Sequence, residues 1–163
     1  MLNLPFARNN HTPPRDGEAR RPIIELRNVH KAYKSAAGDF LALKGIDMEI
    51  SAGEFVSVIG KSGSGKSTLL NMVTGIDRPT VGEVFVNGTA VHKLNENELA
   101  GWRGESMGII FQFFQLLPAL SLMQNVILPM DLAGKFKSRE RRERAEHLLE
   151  IVDLAEQRHK LPS

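Results

Sequence analysis

The sequence lacks cysteine, has a single tryptophan and a single tyrosine, and contains no long apolar run. The absence of cysteine excludes disulfides and thiolate metal sites, and it is compatible with a reducing compartment. No apolar run is long enough for a membrane-spanning helix, and the first six residues lack the basic and apolar regions of a signal peptide. We therefore expect any membrane association to come through a partner. The formal charge of +2 gives no reason to expect nucleic acid as a partner.

What the sequence does contain is an ordinary globular composition. It has 163 residues, of which 42% are hydrophobic and 25% charged, which is enough for one domain with a core. Residues 1–21 are predicted to form a disordered leader, because the stretch from Ala7 to Arg21 holds four arginines and several turn formers but almost nothing to bury. Order is expected to begin near Pro22.

The hydrophobic pattern predicts alternating strands and helices. An Asn87-Gly88 pair between two short apolar runs predicts a hairpin. Asn95 and Ser138 are predicted to cap helices, and Gly75 is predicted to end one. The predicted strands are residues 23–29, 41–50, 55–59, 83–86, 89–92 and 107–111, and the predicted helices begin at Gly65, Asn95 and Ser138, with a further helical stretch over 118–133.

The most informative stretch runs from Gly60 to Ser67 and has the pattern G-x-x-x-x-G-K-S. It lies between the apolar run 55–59 and a predicted helix, which is the context that a phosphate-binding loop requires. Glycines permit backbone angles that aim successive amides at one anion, and the following helix adds its N-terminal N–H groups. The alternative is a flexible Gly/Ser turn. The predicted phosphate-binding residues are Gly60, Lys61, Ser62, Gly63, Ser64, Gly65, Lys66, Ser67 and Thr68.

A second motif narrows the class of phosphate-loop protein that the sequence resembles. The segment 108–118, with Gln112 at its centre, resembles the Q-loop of ATP-binding-cassette (ABC) ATPases. The similarity is to the lipoprotein-release, macrolide-export and antimicrobial-peptide-export group, whose chains share the patterns seen here at 63–71, 75–80 and 114–118. The resemblance covers residues 22–163.

The resemblance implies an α/β fold, a P-loop NTPase of the ABC ATPase type. Its parts would be an N-terminal antiparallel β-subdomain, an incomplete parallel core sheet and a partial helical subdomain. Residues 22–112 would form the nucleotide-binding core with the β-subdomain, and residues 113–163 would belong to the helical subdomain.

The resemblance also implies roles for individual residues in binding ATP and Mg²⁺. Gln112 would ligate Mg²⁺ together with Ser67 and sense the γ-phosphate, although it could instead be a polar residue at a strand end. Tyr33 occupies the A-loop position and would stack on adenine, or it could be a loop aromatic that packs on a neighbour. Stacking does not depend on base identity, so GTP remains open.

An apolar cluster beside Gln112 has two interpretations. It could dock a membrane subunit, because the family places its permease groove beside the Q-loop, or it could form the core of the helical subdomain. The cluster comprises Phe111, Phe113, Phe114, Leu116 and Leu117.

By resemblance, the complete protein is an ATP-binding subunit that couples ATP binding and hydrolysis to export or lipoprotein release. Its partners would be a membrane permease and a second ATP-binding subunit, and it would lie on the cytoplasmic side of the cell membrane. The alternatives are a cell-division ATPase that regulates a membrane partner and a nucleotide-binding module without turnover.

The sequence departs from the family pattern in one respect. The L-S-G-G-Q signature, the Walker B strand with its catalytic carboxylates, the D-loop and the switch histidine are not found in these 163 residues. Water activation by this chain is therefore not expected. Without the corresponding parallel strands, we expect a strand edge and apolar faces of the helix over 65–75 to be partly exposed.

Overall fold

The computed structural model describes residues 22–36, 38–113 and 115–162. The predicted leader over residues 1–21 and the cluster residue Phe114 lie outside this part of the chain. The chain divides into two compact units, the first ending at Lys93 and the second beginning at Leu94. The predicted boundary between residues 112 and 113 stays a prediction.

The first unit contains a four-stranded antiparallel sheet with the order β2-β1-β3-β4. Strand β1 pairs with β2 on one edge and with β3 on the other. The predicted antiparallel β-subdomain is thus confirmed. The two long strands extend beyond their predicted ends because pairing continues to Ser35 and Gly38. The strands are β1 (Pro22–Ser35), β2 (Gly38–Ser51), β3 (Val81–Val86) and β4 (Thr89–Ala90).

One face of this sheet packs against helix α1 (Lys66–Val73). The helix contacts β2 and β3, and it buries Met72 and Val73. From the sheet, the fully buried side chains Val29 and Val84 contribute to the core. Alternation along β2 follows the predicted pattern, with Met48 partly buried and its neighbours along the chain exposed.

A bulge in β1 explains why a glycine stands in β3. The pairing of β1 shifts between Leu26 and Val29, and Asn28 has a φ of 46°. Gly82 lies against this bulge with a φ of 96°. A Cβ on Gly82 would overlap the carbonyl oxygen of Asn28 and lie 2.7 Å from that of Arg27. Only glycine fits both the backbone angle and the space.

The predicted hairpin is confirmed, with Asn87 at φ 48° and Gly88 at φ 77° between β3 and β4. The predicted strand over 89–92 is too long, however, because β4 ends at Ala90 and a 3-10 turn follows over Val91–Lys93. The turn brings the His92 ring back to β3, where its Nδ1 lies 3.1 Å from the backbone nitrogen of Val84. This contact replaces further pairing of β4.

The predicted buried strand over 55–59 is wrong. Residues 54–60 form no strand within the described part of the chain, and Phe55 and Ile59 are 96% and 90% exposed. A strand is defined by hydrogen bonds to a neighbour, and no described residue provides one here. The expected exposure of an apolar face of the helix over 65–75 is confirmed at Leu70 of α1, which is 53% exposed.

The second unit is helical, with α2 (Glu96–Ser106), α3 (Leu122–Leu132) and α4 (Ser138–Ile151), followed by a 3-10 turn over Ala155–Gln157. Helix α3 packs on α4 through a core of Met123, Ala145 and Leu149. Pro129 is accommodated inside α3. No described helix has both the length and the apolar character needed to span a membrane.

The helix starts in this unit test two cap predictions. Asn95 caps α2 through a reciprocal capping box with Glu98, so that prediction is confirmed. Ser138 is not the cap of α4, because Lys137 holds that position and Ser138 is the first helical residue.

The predicted strand over 107–111 is also wrong, since these residues are not in a strand. No described residue pairs with them, as with residues 55–59. Neither of these two predicted strands is present, and the incomplete parallel core sheet that the resemblance implies does not form among the described residues.

Candidate phosphate-binding site

An exposed segment connects β2 to α1 and contains the predicted phosphate loop. Its conformation depends on two glycines, Gly63 with a φ of 77° and Gly65 with a φ of 91°. Between them the amide of Ser64 donates to the carbonyl of Lys61 at 3.2 Å, which closes a turn. Backbone in the left-handed region at alternate positions turns amide hydrogens inward, which is the arrangement of an anion-binding nest.

Both the available space and the backbone angle require glycine at position 65. A Cβ at this position would lie 2.7 Å from the carbonyl oxygen of Ala42 in β2. At Gly60 a Cβ would lie 2.6 Å from Oγ of Ser64, a side-chain atom that can rotate away. The loop is thus packed closely on the sheet at Gly65. A Cβ at Gly65 would force the loop to change shape, whereas a Cβ at Gly60 would need only a new Ser64 rotamer.

Helix α1 begins directly at this loop, and the backbone N–H groups of its first turn have no acceptor within the helix. The N-cap is Gly65, which offers no side chain, and the first turn contains no acidic residue. The first helical hydrogen bond joins the Leu69 amide to the Gly65 carbonyl at 2.8 Å. The amides of Lys66, Ser67 and Thr68 precede it and have no acceptor within the helix. Their partial positive charge fits an anionic group such as a phosphate.

The ammonium of Lys66 adds a full positive charge to the same loop. Its Nζ donates to the carbonyl oxygens of Gly60 at 2.9 Å and Lys61 at 2.8 Å. The side chain therefore folds back across the loop rather than extending into solvent. The ammonium is thus held against the loop that leads into α1, so the cation and the backbone donors belong to one short segment, residues 60–68.

The predicted Mg²⁺ ligands lie in different units. Ser67 is an exposed residue in the first turn of α1, and the neighbouring Thr68 is partly buried. Gln112 is exposed in the segment between α2 and α3 of the second unit. The structure thus brings together residues 60–68 as one site. The joint role of Ser67 and Gln112 stays a prediction.

Tyr33 lies near the end of β1, opposite Phe40 of β2. Its ring is 38% exposed, and its hydroxyl donates to Oδ2 of Asp77 at 2.9 Å. The ammonium of Lys31 lies 4.9 Å from the ring centroid and donates to Oδ1 of Asp77 at 2.6 Å. Tyr33 therefore lies in a strand and belongs to a polar cluster, and its role in stacking on a base stays a prediction.

Asp77 is the acceptor at the centre of this cluster. Partial burial by itself raises the pKa of its carboxyl group. Hydrogen bonds from Lys31, from the backbone amide of Arg78 and from Tyr33 outweigh that effect, so the pKa lies below its ordinary value. The carboxylate is accordingly ionised at neutral pH and holds the connector after α1 against β1.

Sequence reasoning assigned no role to Asp77 or Lys31. A signal for Lys31 was available, because residues two apart on a strand share a face and Lys31 is two residues before Tyr33. No comparable local signal exists for Asp77, which is 44 residues from Tyr33 along the chain. Such a contact is fixed only by tertiary structure.

The loop conformation requires glycine, the helix that follows has no side-chain cap, and a lysine folds across the loop. Together these features define a P-loop protein. Comparison with known proteins identifies the family. The ABC transporter family matches residues 43–163. The chain belongs to the ABC transporter ATP-binding family.

Two relatives and one solved structure illustrate the similarity. The uncharacterised ABC transporter ATP-binding protein YknY of Bacillus subtilis is 45% identical over 86% of this chain and 61% of its own length. The lipoprotein-releasing system ATP-binding protein LolD of Acinetobacter baylyi is 40% identical over 82% of this chain and 58% of its own. The ATP-binding cassette MJ0796 of Methanocaldococcus jannaschii, solved as a dimer bound to ADP and Pi, superposes with a TM-score of 0.79 at 39% identity.

That superposition covers 85% of this chain and 61% of the solved one. The chain thus spans about three-fifths of the length of the relatives it matches. The predicted P-loop fold of the ABC ATPase type is confirmed. The similarity to these proteins also supports nucleotide binding as the property to be explained.

Proposed function

We propose that this chain is the phosphate- and base-binding part of an ABC transporter ATPase, with ATP·Mg²⁺ as its ligand. The observation that carries the proposal is the combination of donors in residues 60–68. The Lys66 ammonium is held 2.8 to 2.9 Å from two loop carbonyls, and the amides at the start of α1 have no helical acceptor.

In this proposal each part of the site has a distinct task. The amides of Gly63 and of residues 65–68 hold the phosphate oxygens, and Lys66 offsets the charge of the β- and γ-phosphates. The Ser67 hydroxyl and the Gln112 amide oxygen would hold Mg²⁺, both being the neutral oxygen ligands that this ion accepts. Bound Mg²⁺ would neutralise charge on the phosphates. Tyr33 would stack on the base.

We further propose that the complete protein drives transport through a membrane permease. LolD is named as part of a lipoprotein-releasing system, and MJ0796 was solved as a dimer. By that similarity the complete protein would pair with a second ATP-binding subunit on the cytoplasmic side of the membrane. Its cycle would couple ATP hydrolysis to export or lipoprotein release.

Calorimetric titration of the 163-residue chain with ATP and Mg²⁺ tests the nucleotide proposal. Lys66→Ala should weaken ATP binding by at least about ten-fold, because a charge-assisted contact to phosphate contributes about 1.5–3 kcal/mol. Lys93→Ala is the matched control, since this exposed lysine lies at the end of the same unit, outside the loop. It should bind ATP as the unmodified chain does.

Equal binding by Lys66→Ala and the unmodified chain would overturn the assignment of the phosphate site. Phosphate release measured in the same samples separates binding from turnover. ATP binding without release would support nucleotide binding as the contribution of these residues, whereas release abolished by Lys66→Ala would show hydrolysis by the chain itself.

A further inference from the structure

The cluster around Asp77 joins two parts of the first unit. Lys31 and Tyr33 come from β1, and Asp77 comes from the connector between α1 and β3. Asp77 accepts from the Lys31 ammonium at 2.6 Å and from the Tyr33 hydroxyl at 2.9 Å. The Lys31 ammonium also donates to the carbonyl of Arg78 at 2.8 Å. Both carboxylate oxygens of Asp77 are therefore occupied by groups from β1.

These contacts restrain the Tyr33 ring at two points. The hydroxyl is tied to one carboxylate oxygen, and the Lys31 ammonium lies over one ring face, 4.9 Å from the centroid. A nucleobase would then stack on the opposite face. Lys31 is well shielded, with a side chain only 13% exposed, so solvent weakens its attraction to Asp77 less than at an open surface.

A restrained aromatic ring binds better than a mobile one. An exposed tyrosine that must be ordered on binding loses rotamer freedom, and that loss weakens the complex. A ring already fixed by a hydrogen bond avoids most of it. The position of the ring also matters, because stacking requires the two faces to lie parallel and in contact.

We propose that Asp77, with Lys31, is a positioning residue that holds the Tyr33 ring as a preformed stacking surface for the nucleobase. This inference rests on the proposed function, since it assumes that the loop binds a nucleotide and that Tyr33 faces its base. It adds a residue outside the phosphate loop whose effect is on base binding alone. Phosphate binding should not depend on it.

Two probes separate base from phosphate binding: Mg²⁺ with ATP, and Mg²⁺ with inorganic tripolyphosphate, which has no base. Asp77→Asn and Tyr33→Phe each remove part of the cluster but keep the ring. Each should weaken ATP binding by about three- to ten-fold, the range expected for one hydrogen bond. Tripolyphosphate binding should change by less than about two-fold. Glu49→Gln, an exposed acid on β2, is the control and should alter neither affinity.

The outcomes distinguish the inference from the function it rests on. Tyr33→Ala should weaken ATP binding by about ten-fold or more without changing tripolyphosphate binding. If Tyr33→Ala has no effect on ATP, the stacking role fails. If Tyr33→Ala weakens ATP binding but Asp77→Asn and Tyr33→Phe do not, only the positioning role is overturned. If neither ATP nor tripolyphosphate binds, the proposed function itself is overturned.

A measurement without ligand tests the restraint directly. Tyr33 is the single tyrosine of the sequence, so ¹³C-labelled tyrosine gives the ring signals of one residue in an NMR spectrum. Asp77→Asn should shift these signals and lower the heteronuclear NOE of the ring carbons, as expected for a freer ring. Ring signals and NOE values equal to those of the unmodified chain would overturn the positioning role.

Discussion

Two apolar runs of the first unit have similar strand-forming sequences and different structures. Residues 23–29 lie within β1, which is paired on both edges. Residues 55–59 consist of phenylalanine, valine, serine and isoleucine, yet they form no strand and leave Phe55 almost fully exposed. Local composition favours a strand at least as strongly at residues 55–59 as at residues 23–29. The difference is that β1 has neighbours within the described chain and residues 55–59 do not.

The comparison shows that a segment with strand-forming residues becomes a strand only where another segment is available to pair with it. An antiparallel hairpin such as β1–β2 brings its own neighbour, because the two strands are almost consecutive in sequence. A parallel strand needs a neighbour supplied by a distant segment. Without one, Phe55 and Ile59 are exposed in the described part of the chain, and an exposed apolar segment favours aggregation.

The largest expected effect comes from disturbing the paired region at Gly82. Gly82→Ala should destabilise the first unit by about 3 kcal/mol, because the added Cβ would overlap the carbonyl of Asn28 and the backbone angle is strained for alanine. Gly88→Ala is the matched control. Gly88 also has a positive φ, but no atom lies within 4 Å of its Cβ position, so about 1 kcal/mol is expected.

Urea unfolding followed by circular dichroism measures both variants. Equal destabilisation by Gly82→Ala and Gly88→Ala would contradict the account, since it would mean that the close approach of β3 to the bulge adds nothing beyond backbone strain.

A second pair of variants compares the two regions directly. Val84 is completely buried in β3, so Val84→Ala should destabilise the unit by about 2 kcal/mol. Phe55 is 96% exposed, so Phe55→Ala should change stability by less than about 0.5 kcal/mol despite removing a larger side chain. Phe55→Ala should also reduce light scattering during refolding. A loss of stability with Phe55→Ala close to that with Val84→Ala would show that residues 55–59 are packed after all.

The smallest expected effect concerns pH and the anchor that ties the connector after α1 to β1. The lowered pKa of Asp77 in the folded state means that its ionised form contributes stability at neutral pH. That contribution is lost as the pH falls below about 4, through the ordinary range of an aspartate and then through the lower folded-state pKa. Lys31→Met removes the cationic partner and should reduce this acid dependence.

Asp77→Asn should reduce the acid dependence further. Urea midpoints at neutral and acid pH measure the effect for the unmodified chain and both variants. A steeper loss of stability on acidification in Asp77→Asn would contradict the assignment.

Much of the fold could be predicted from local sequence. The hairpin at Asn87-Gly88, the cap at Asn95 and the alternation along β2 each depend on residues that are close in the chain. The turn over residues 60–68 also belongs to this class, because the backbone angles of Gly63 and Gly65 and the helix that follows are local features. A turn, cap or hairpin can be predicted from local sequence when its hydrogen bonds join residues that are close in the chain.

The remaining features depend on distant contacts and could not be predicted in this way. The strands over 55–59 and 107–111 need neighbours that the described residues do not provide. The end of β4 is set by His92 returning to Val84, and the Tyr33 hydroxyl is held by Asp77. The cap of α4 is a different kind of error, since Ser138 was one position too late and Lys137 takes the cap.

The central claim is that residues 60–68 form a nucleotide-binding loop, and an NMR titration tests it most directly. Amide signals of the ¹⁵N-labelled chain would be followed as Mg²⁺ and ATP are added. We predict that the largest shifts fall on the amides from Gly63 to Thr68, with a smaller group around Tyr33, and that Lys66→Ala reduces them. Saturable shifts confined to other residues, or no shifts at millimolar ATP, would contradict the account.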